Sequence, residues 1–206
     1  MSEQQNTGLI AGPDGGLRCA WPGSDELYRH YHDNEWGRPV SSDIRLFEKI
    51  CLEGFQSGLS WLTILRKRDN FRAAFASFDP DVVADFDEHD VERLLGDAGI
   101  VRHRGKIEAA IANARGVLAL REAGTPLSEL MWAYRRDDDA PPDWVAETAE
   151  SRELSKRLKA AGFRFVGPTT VYSAMQACGI VNDHRADCHV RATVEQARSK
   201  LVTIRH

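Results

Sequence analysis

Apolar residues recur every three to four positions along most of the chain. One such series lies between Ile44 and Cys51, a second between Val91 and Leu95, and a third between Ile107 and Leu118. This spacing places apolar side chains on one face of an α-helix. Because no segment alternates convincingly at period two, the pattern predicts an all-α fold of about eight helices.

Capping residues and glycines mark the predicted helix ends. Residues with an oxygen that can cap free backbone N–H groups precede several of the apolar series: Ser24, Asp25, Ser42, Asp79 and Ser151. Glycines follow several of them: Gly37, Gly99, Gly124 and Gly162. The 206 residues therefore read as a flexible leader over 1–17, a single bilobal domain over 18–190 and a C-terminal tail over 191–206.

The amino-acid composition excludes several classes of protein. Hydrophobic residues make up 42% of the chain and charged residues 28%, which is enough apolar material for a packed core. The apolar runs are far shorter than the roughly 20 residues that span a bilayer, and the leader lacks the apolar region of a secretion signal. Four cysteines in a chain without an export signal indicate a reducing compartment, so we expect a cytoplasmic protein.

The charge is unevenly placed, although 27 basic against 31 acidic residues give a net charge of only −4. Basic residues cluster over 66–72, 102–106 and 152–164, whereas acidic residues concentrate over 137–150. This layout predicts one basic and one acidic face. The alternative is that each cluster is an ordinary solvated helix surface.

The segment 154–177 has the construction of two helices joined by a tight turn. The first helix ends at Gly162, the turn runs to Gly167, and Pro168 suits the first turn of the second helix. Free N–H groups from Gly167 onward can bind an anion, such as a DNA phosphate. The segment, about 151–180, resembles the helix-hairpin-helix DNA-binding motif, with Phe165 at the first of two positions that are usually glycine. A plain helical corner is the alternative.

Cysteine and histidine occur in pairs near the two ends of the chain. Twelve residues separate Cys19 from His32, and three separate His184 from Cys188. Two thiolates and two imidazoles can close a tetrahedron around zinc and leave no open position for substrate, which is typical of a structural site. The spacing alone leaves the choice open, because other possible ligands lie nearby: His30, Cys178 and His189.

An acidic residue, Glu53, falls within an apolar helix, in the second of two stretches, 21–37 and 51–61, that hold three of the five tryptophans. A carboxylate in such a position needs a partner or ligand to offset its desolvation. An anion surrounded by aromatic faces is a good receptor for a flat cation. An alkylated, positively charged purine fits that description.

Several sequence blocks, in one order, resemble the bacterial type I 3-methyladenine DNA glycosylase family. They include YHDNEWG at 31–37, CLEG at 51–54 with GLSW at 58–61, DAGI at 97–100, and VNDH at 181–184. The resemblance extends from about Arg18 to Cys188. It implies a helix-hairpin-helix glycosylase fold, alkylated duplex DNA as the partner, and hydrolysis of the N-glycosidic bond of 3-methyladenine after base flipping.

The resemblance also implies roles for individual residues. A structural Zn²⁺ would be bound by Cys19, His32, His184 and Cys188. Glu53 would accept hydrogen bonds from the methylated base and is the candidate catalytic residue. The base would be walled by Tyr28, Tyr31 and Trp61, with Trp21 close by. DNA would be contacted by Gly58 and Leu59, which press into the duplex, and at the hairpin by Gly167, Thr169 and Thr170.

Two positions bear on the chemistry. Thr169 stands where lyase members of the superfamily carry a lysine, so no Schiff base can form and we expect a monofunctional enzyme that leaves an abasic site. Asn182 stands where the superfamily's aspartate supports the sugar cation, and Asp183 is one residue too late.

We expect a monomer. The alternatives are a non-enzymatic helix-hairpin-helix DNA-binding module with structural zinc, and a zinc hydrolase, against which four protein ligands argue.

Overall fold

The computed structural model describes residues 8–136 and 145–204 and confirms a mostly helical chain. Its described residues form two short strands, ten α-helices and one 3₁₀ turn at Ala76–Phe78. The strands are β1 (Leu9–Ala11) and β2 (Leu17–Cys19). The helices are α1 (Glu26–Asn34), α2 (Asp43–Gln56), α3 (Trp61–Ala74), α4 (Pro80–Val83), α5 (Glu88–Gly96), α6 (Arg104–Glu122), α7 (Leu127–Trp132), α8 (Ala149–Ala160), α9 (Pro168–Ala177) and α10 (Arg191–Ile204).

The described residues belong to two compact units. The first unit contains 8–39 and 176–204, with Arg136 and Val145, and the second contains 40–135 and 146–175. None of the described helices is long and apolar enough to cross a membrane. Most of the predicted acidic stretch, residues 137–144, lies outside the described residues, and the predicted boundaries at 17, 18, 190 and 191 stay a prediction.

Capping explains where several helices begin. Asp25 and Asp79 accept hydrogen bonds from the amides of Tyr28 and Asp81, and so cap α1 and α4 as predicted. The cap predicted at Ser151 is wrong. Thr148 caps α8 instead, and Ser151 is its partner three residues later in a reciprocal capping box, which the sequence hides because serine is a good residue for either position.

The segment that precedes Arg18 contains regular structure that the period-two criterion does not detect. Leu9–Ala11 pairs antiparallel with Leu17–Cys19, and the Gly12 amide donates to the Gly16 carbonyl at 2.9 Å to close the turn. Three-residue strands are too short for alternation to be visible. The described part of the leader is therefore a hairpin, and the segment assigned to a tail forms α10.

In the second unit the core is built around α2, which packs against α3, α6 and α7. Five phenylalanines are almost completely buried there: Phe47, Phe55, Phe71, Phe75 and Phe78. Burial of each such ring contributes about 1.5–3 kcal/mol through the hydrophobic effect. The apolar face predicted for α2 is thus the face that organises this unit.

In the first unit two glycines let the backbone pack closely. Gly179 has φ +72°, and a Cβ atom there would lie 2.4 Å from the carbonyl oxygen of Gly37. Gly37 itself has φ +77° and lies against the ring of His184. Only glycine fits both requirements, and the contact brings the chain after α1 next to the chain that follows α9.

A candidate metal centre and a carboxylate cavity

The first unit gathers the four predicted metal ligands into one buried cluster. The ligand atoms of Cys19, His32, His184 and Cys188 all lie within 4.8 Å of one another, and all four residues are buried. Cys19 is the last residue of β2, His32 lies near the end of α1, and the other two precede α10. The rival ligands His30, Cys178 and His189 are not part of this cluster.

The geometry of the cluster fits a tetrahedral ion. The Cys188 sulfur lies 3.6 Å from His32 Nε2 and 3.6 Å from His184 Nδ1. Zinc ligands at about 2.3 Å for sulfur and 2.0 Å for nitrogen lie about 3.5 Å apart on a tetrahedron. The remaining ring nitrogens are occupied, because His184 Nε2 lies 3.1 Å from the Trp36 carbonyl oxygen and His32 Nδ1 lies 2.7 Å from Asp33 Oδ1. Each imidazole thus directs its other nitrogen into the cluster.

The protonation of the cluster suits a cation at Cys188 and His184, whereas the contact with Cys188 and burial hold the pKa of the Cys19 thiol above its usual range. The Cys188 sulfur accepts a hydrogen bond from the Cys19 thiol and lies beside two imidazoles, and these contacts hold the pKa of Cys188 well below its usual range. Burial lowers the pKa of His184, which keeps the ring neutral. A thiolate and a neutral imidazole are the forms that bind metal.

A charged network that the sequence did not indicate surrounds His32. The buried guanidinium of Arg18 donates to Asp33 at 2.9 Å and to Asp14 at 2.7 Å. Burial tends to raise the pKa of Asp33, but hydrogen bonds from His32, Arg18 and His189 outweigh it and hold that pKa below its usual range. The network fixes the carboxylate that orients the His32 ring.

Three of the predicted base-pocket aromatics lie beside this cluster in the first unit. The Trp21 ring meets the rings of Tyr28 at 4.8 Å, Tyr31 at 6.4 Å and His32 at 5.3 Å between centroids, all edge to face. Tyr31 is 2% exposed. Trp61, the fourth, opens α3 in the second unit and is also buried. Their predicted role as walls of a base pocket stays a prediction.

Glu53 lies in the last turn of α2 and is only 6% exposed. Burial raises the pKa of its carboxyl group to about 8, although the charge of Lys49 acts in the opposite direction. The group is therefore mostly protonated at pH 7 in the unliganded protein. A cation placed beside it would favour the ionised form.

A cavity of about 180 Å³ in the second unit brings several predicted site residues together. It is lined by Glu53, Gln56, Ser57, Gly58, Leu59, Thr169, Thr170 and Ser173. The carboxyl group predicted to bind the base, the turn predicted to enter the duplex and the first turn of α9 thus share one cavity.

The predicted hairpin has the expected construction. It joins α8 to α9, and Pro168 is the first residue of α9. Phe165 has φ +54°, so it adopts the left-handed conformation that glycine would provide, at a cost of roughly 1–2 kcal/mol. The buried side chain of Asn113 supports this turn, because its Oδ1 accepts from the Arg164 amide at 2.7 Å and its Nδ2 donates to the Arg164 carbonyl at 3.2 Å.

The basic cluster over 102–106 is partly neutralised by acids from another helix. Arg104 forms ion pairs with Glu88, at 2.7 Å, and with Glu92, both on α5. Lys106 is buried rather than displayed on the surface. No acidic residue lies within 102–106 in the sequence, but acidic side chains of α5 lie against Arg104 in the fold. The basic face predicted there therefore carries less net positive charge than the residue count suggests.

Asn182 and Asp183, near the superfamily's aspartate position, are held by neighbours in the first unit. Asn182 Nδ2 donates to Glu195 at 3.1 Å, and Asp183 accepts from Gln176 at 2.7 Å. Both side chains are buried. These contacts give both residues structural partners.

Comparison with known proteins now decides the family. A sequence model of the methyladenine glycosylase family, "Methyladenine glycosylase", matches residues 21–192. The chain belongs to this family. Cys19 and the β1–β2 hairpin lie before the matched segment.

Among methyladenine glycosylases, this chain is 51% identical over 177 residues to DNA-3-methyladenine glycosylase 1 of Escherichia coli (strain K12), covering 83% of this chain and 95% of that protein. It is 43% identical to DNA-3-methyladenine glycosylase of Haemophilus influenzae, covering 83% and 96%. A crystal structure of 3-methyladenine DNA glycosylase I superposes with a TM-score of 0.80 at 49% identity, covering 84% of this chain and 98% of that one. The Staphylococcus aureus enzyme, solved to explain 3-methyladenine recognition, gives 0.78 at 36% identity, covering 84% and 96%.

Proposed function

We propose that this methyladenine glycosylase is a monofunctional repair enzyme that hydrolyses the N-glycosidic bond of 3-methyladenine in alkylated duplex DNA. It flips the damaged nucleotide out of the helix, releases the base and leaves an abasic site. The family match and the names of the relatives support this function. The observation that links this function to a particular residue is the position of Glu53, which is buried and lies on the wall of a cavity.

Glu53 selects the lesion by charge. Methylation at N3 makes the base a cation and a good leaving group, so the enzyme does not need to protonate it. The cation stabilises the ionised carboxylate that burial otherwise disfavours, whereas neutral adenine leaves that cost uncompensated. Flipping costs a few kcal/mol, and only the cationic base offsets it fully. Glu53 is also the proposed group that orients the attacking water.

In this proposal four aromatic residues surround the methylated base. Tyr28, Tyr31 and Trp61 wall the bound base, and Trp21 supports them. Electron-rich faces attract a flat cation by about 0.5–2 kcal/mol each. Tyr31 and Trp61 are buried and Trp21 and Tyr28 are half-buried, which is compatible with a rigid receptor that excludes most water.

Two elements hold the DNA in this proposal. Leu59, 43% exposed, enters the duplex beside Gly58 where the base has left. Gly167, Thr169 and Thr170 bind a phosphate at the first turn of α9, where N–H groups have no intrahelical acceptor. Thr169 has no amine, so the enzyme does not cleave the strand.

We assign zinc to the cluster of Cys19, His32, His184 and Cys188. Bound there, the ion supplies a cross-link between the two ends of the chain and, with four protein ligands, no catalytic site. Asp33 orients His32, and Arg18 holds Asp33. The cytoplasmic location and the monomeric state stay predictions.

The experiment that tests this function is product analysis on duplex DNA treated with a methylating agent. We expect released 3-methyladenine, abasic sites and no strand breaks before alkaline treatment. Glu53→Gln should lower the rate of release by about 10- to 100-fold, since a hydrogen bond to a charged group contributes about 1.5–3 kcal/mol.

Two controls make the test specific. Glu26→Gln, at an exposed position on α1, should retain the wild-type rate. Circular dichroism should show that Glu53→Gln is folded. Intact DNA binding without any base release by the wild type would instead favour the non-enzymatic module.

A further inference from the structure

Lys106 is a buried cation that the proposed mechanism does not use. It lies in the first turn of α6 and is 8% exposed. Its ammonium group donates to the carbonyl oxygen of Phe55 at 2.9 Å and to that of Ser57 at 2.6 Å. These carbonyls lie on either side of Gln56, where α2 ends.

This contact satisfies carbonyl groups that the end of a helix leaves without an intrahelical hydrogen bond. The last carbonyl groups of a helix have no intrahelical donor, and together they carry a negative partial charge. A cation there satisfies both needs at once. Burial of an ammonium group costs free energy unless the group is hydrogen-bonded. Here its hydrogen bonds are made to backbone carbonyl groups at the start of an exposed loop.

That loop, Gln56–Leu59, is the one that carries the proposed DNA wedge. Gly58 has φ +80°, and the Leu59 amide donates to the Gln56 carbonyl at 2.6 Å, so the loop turns tightly. The turn leaves Leu59 43% exposed. The same four residues line the cavity that contains Glu53.

We infer that Lys106 is a positioning residue that fixes the Gln56–Leu59 loop from the protein side, so that Leu59 is held ready to enter the duplex. The ammonium group does not touch the base; it acts through the backbone of Phe55 and Ser57. The inference rests on the proposed function, because it takes Leu59 as the wedge.

The test is a double-mutant cycle of Lys106→Met and Leu59→Ala, read out by single-turnover release of 3-methyladenine from methylated duplex DNA. Methionine is an unbranched side chain one atom shorter than lysine, so it keeps most of the buried stem and removes the donors. We expect Lys106→Met to lower the rate about 10-fold, the equivalent of one hydrogen bond from a charged group. In the Leu59→Ala background the same change should lower the rate less than about 2-fold, since the residue through which it acts is gone.

The matched control is Arg115→Met. Arg115 also donates to two backbone carbonyls of the second unit, those of Ala84 and Phe86, but neither carbonyl belongs to the loop. It should leave the rate unchanged even where it lowers the melting temperature. Lys106→Gln, which keeps an N–H donor, is assayed in parallel so that a folding defect of the methionine variant does not end the test. Amide hydrogen exchange should accelerate at Ser57–Leu59 in both Lys106 variants.

The outcomes separate the inference from the function on which it rests. If Leu59→Ala itself keeps the wild-type rate, the proposed wedge is wrong. If Leu59→Ala slows release while both Lys106 variants keep the wild-type rate, the positioning role is wrong and the function stands. Equal effects of Lys106→Met in both backgrounds would also overturn the positioning role, because Lys106 would then act elsewhere.

Discussion

At the scale of single residues, Glu53 carries the proposed selectivity, and its surroundings set its charge. Its place in an apolar stretch of α2 is enough to predict burial, and it is 6% exposed. Its protonation state is not readable in this way, because desolvation depends on every element that packs around it. Burial raises its pKa to about 8, so the proposed receptor for a cation is mostly neutral at pH 7 before a cation binds.

This shift makes stability depend on pH in an unusual direction. The carboxyl group binds its proton more tightly in the folded state than at its ordinary value of 4.5, so folding favours the protonated form. The stability that this preference contributes is complete below pH 4.5 and is lost as the pH rises through about 8. Glutamine stays neutral throughout. Glu53→Gln should therefore become increasingly more stable than the wild type, by several kcal/mol between pH 5 and pH 8.5.

Urea unfolding at the two pH values measures this difference. Glu26→Gln, at an exposed site, serves as the comparison and should show the same small difference at both values. A gap between Glu53→Gln and wild type that stays constant with pH would mean that Glu53 is not desolvated.

At the scale of elements, the α8–α9 hairpin is readable from the sequence because Gly162 follows the first helix and Gly167 immediately precedes Pro168. The sequence does not show how Phe165 can adopt a left-handed backbone conformation that favours glycine. The answer comes from α6, about 50 residues earlier in the chain, where Asn113 bonds both backbone groups of Arg164. The β1–β2 hairpin escapes sequence reasoning for a different reason: its three-residue strands are too short to show alternation, and Leu9 packs against a cluster that includes Cys188, far along the chain.

Asn113→Ala tests the support of this hairpin. It removes the side chain that holds the N–H and carbonyl groups of Arg164 in two part-buried hydrogen bonds, which should lower the free energy of unfolding by about 1–3 kcal/mol. DNA affinity should fall as well, since the hairpin presents the proposed phosphate site. Denaturant unfolding and a binding titration measure both quantities.

Asn34→Ala is the control, because Asn34 lies at the exposed end of α1 and bonds only within its own helix turn. It should change stability by less than about 0.5 kcal/mol. If the two variants are equally stable, Asn113 does not hold the hairpin.

At the scale of the whole molecule, the cluster of two cysteines and two histidines joins segments that are more than 150 residues apart. The H-x₃-C spacing suggested half of it, and the resemblance supplied the rest, since spacing alone could not exclude His30 or His189. The Arg18 network around His32 was invisible in the sequence, because Asp14 and Asp33 come together only when the β-hairpin forms.

Removal of the proposed zinc ion should therefore lower the stability of the protein rather than act directly on its chemistry. Zinc chelation should lower the melting temperature by about 10 °C, the equivalent of about 4 kcal/mol for a chain of this size, and added zinc should restore it. His184→Ala should melt at the lower temperature with or without chelator. His30→Ala, which removes an exposed rival ligand, should respond to chelator as the wild type does. A wild-type melting temperature that is insensitive to chelator would remove the proposed cross-link.

The proposed selectivity requires that an ionised, buried Glu53 binds the cationic base. The pH profile of kcat/KM for 3-methyladenine release tests it most directly, because that ratio reports the ionisation of the free enzyme. For the wild type we predict a rise of about tenfold per pH unit that levels off near pH 8, and for Glu53→Gln a low rate that does not change with pH. A flat wild-type profile between pH 6 and pH 9, or a glutamine variant as fast as the wild type, would contradict the account.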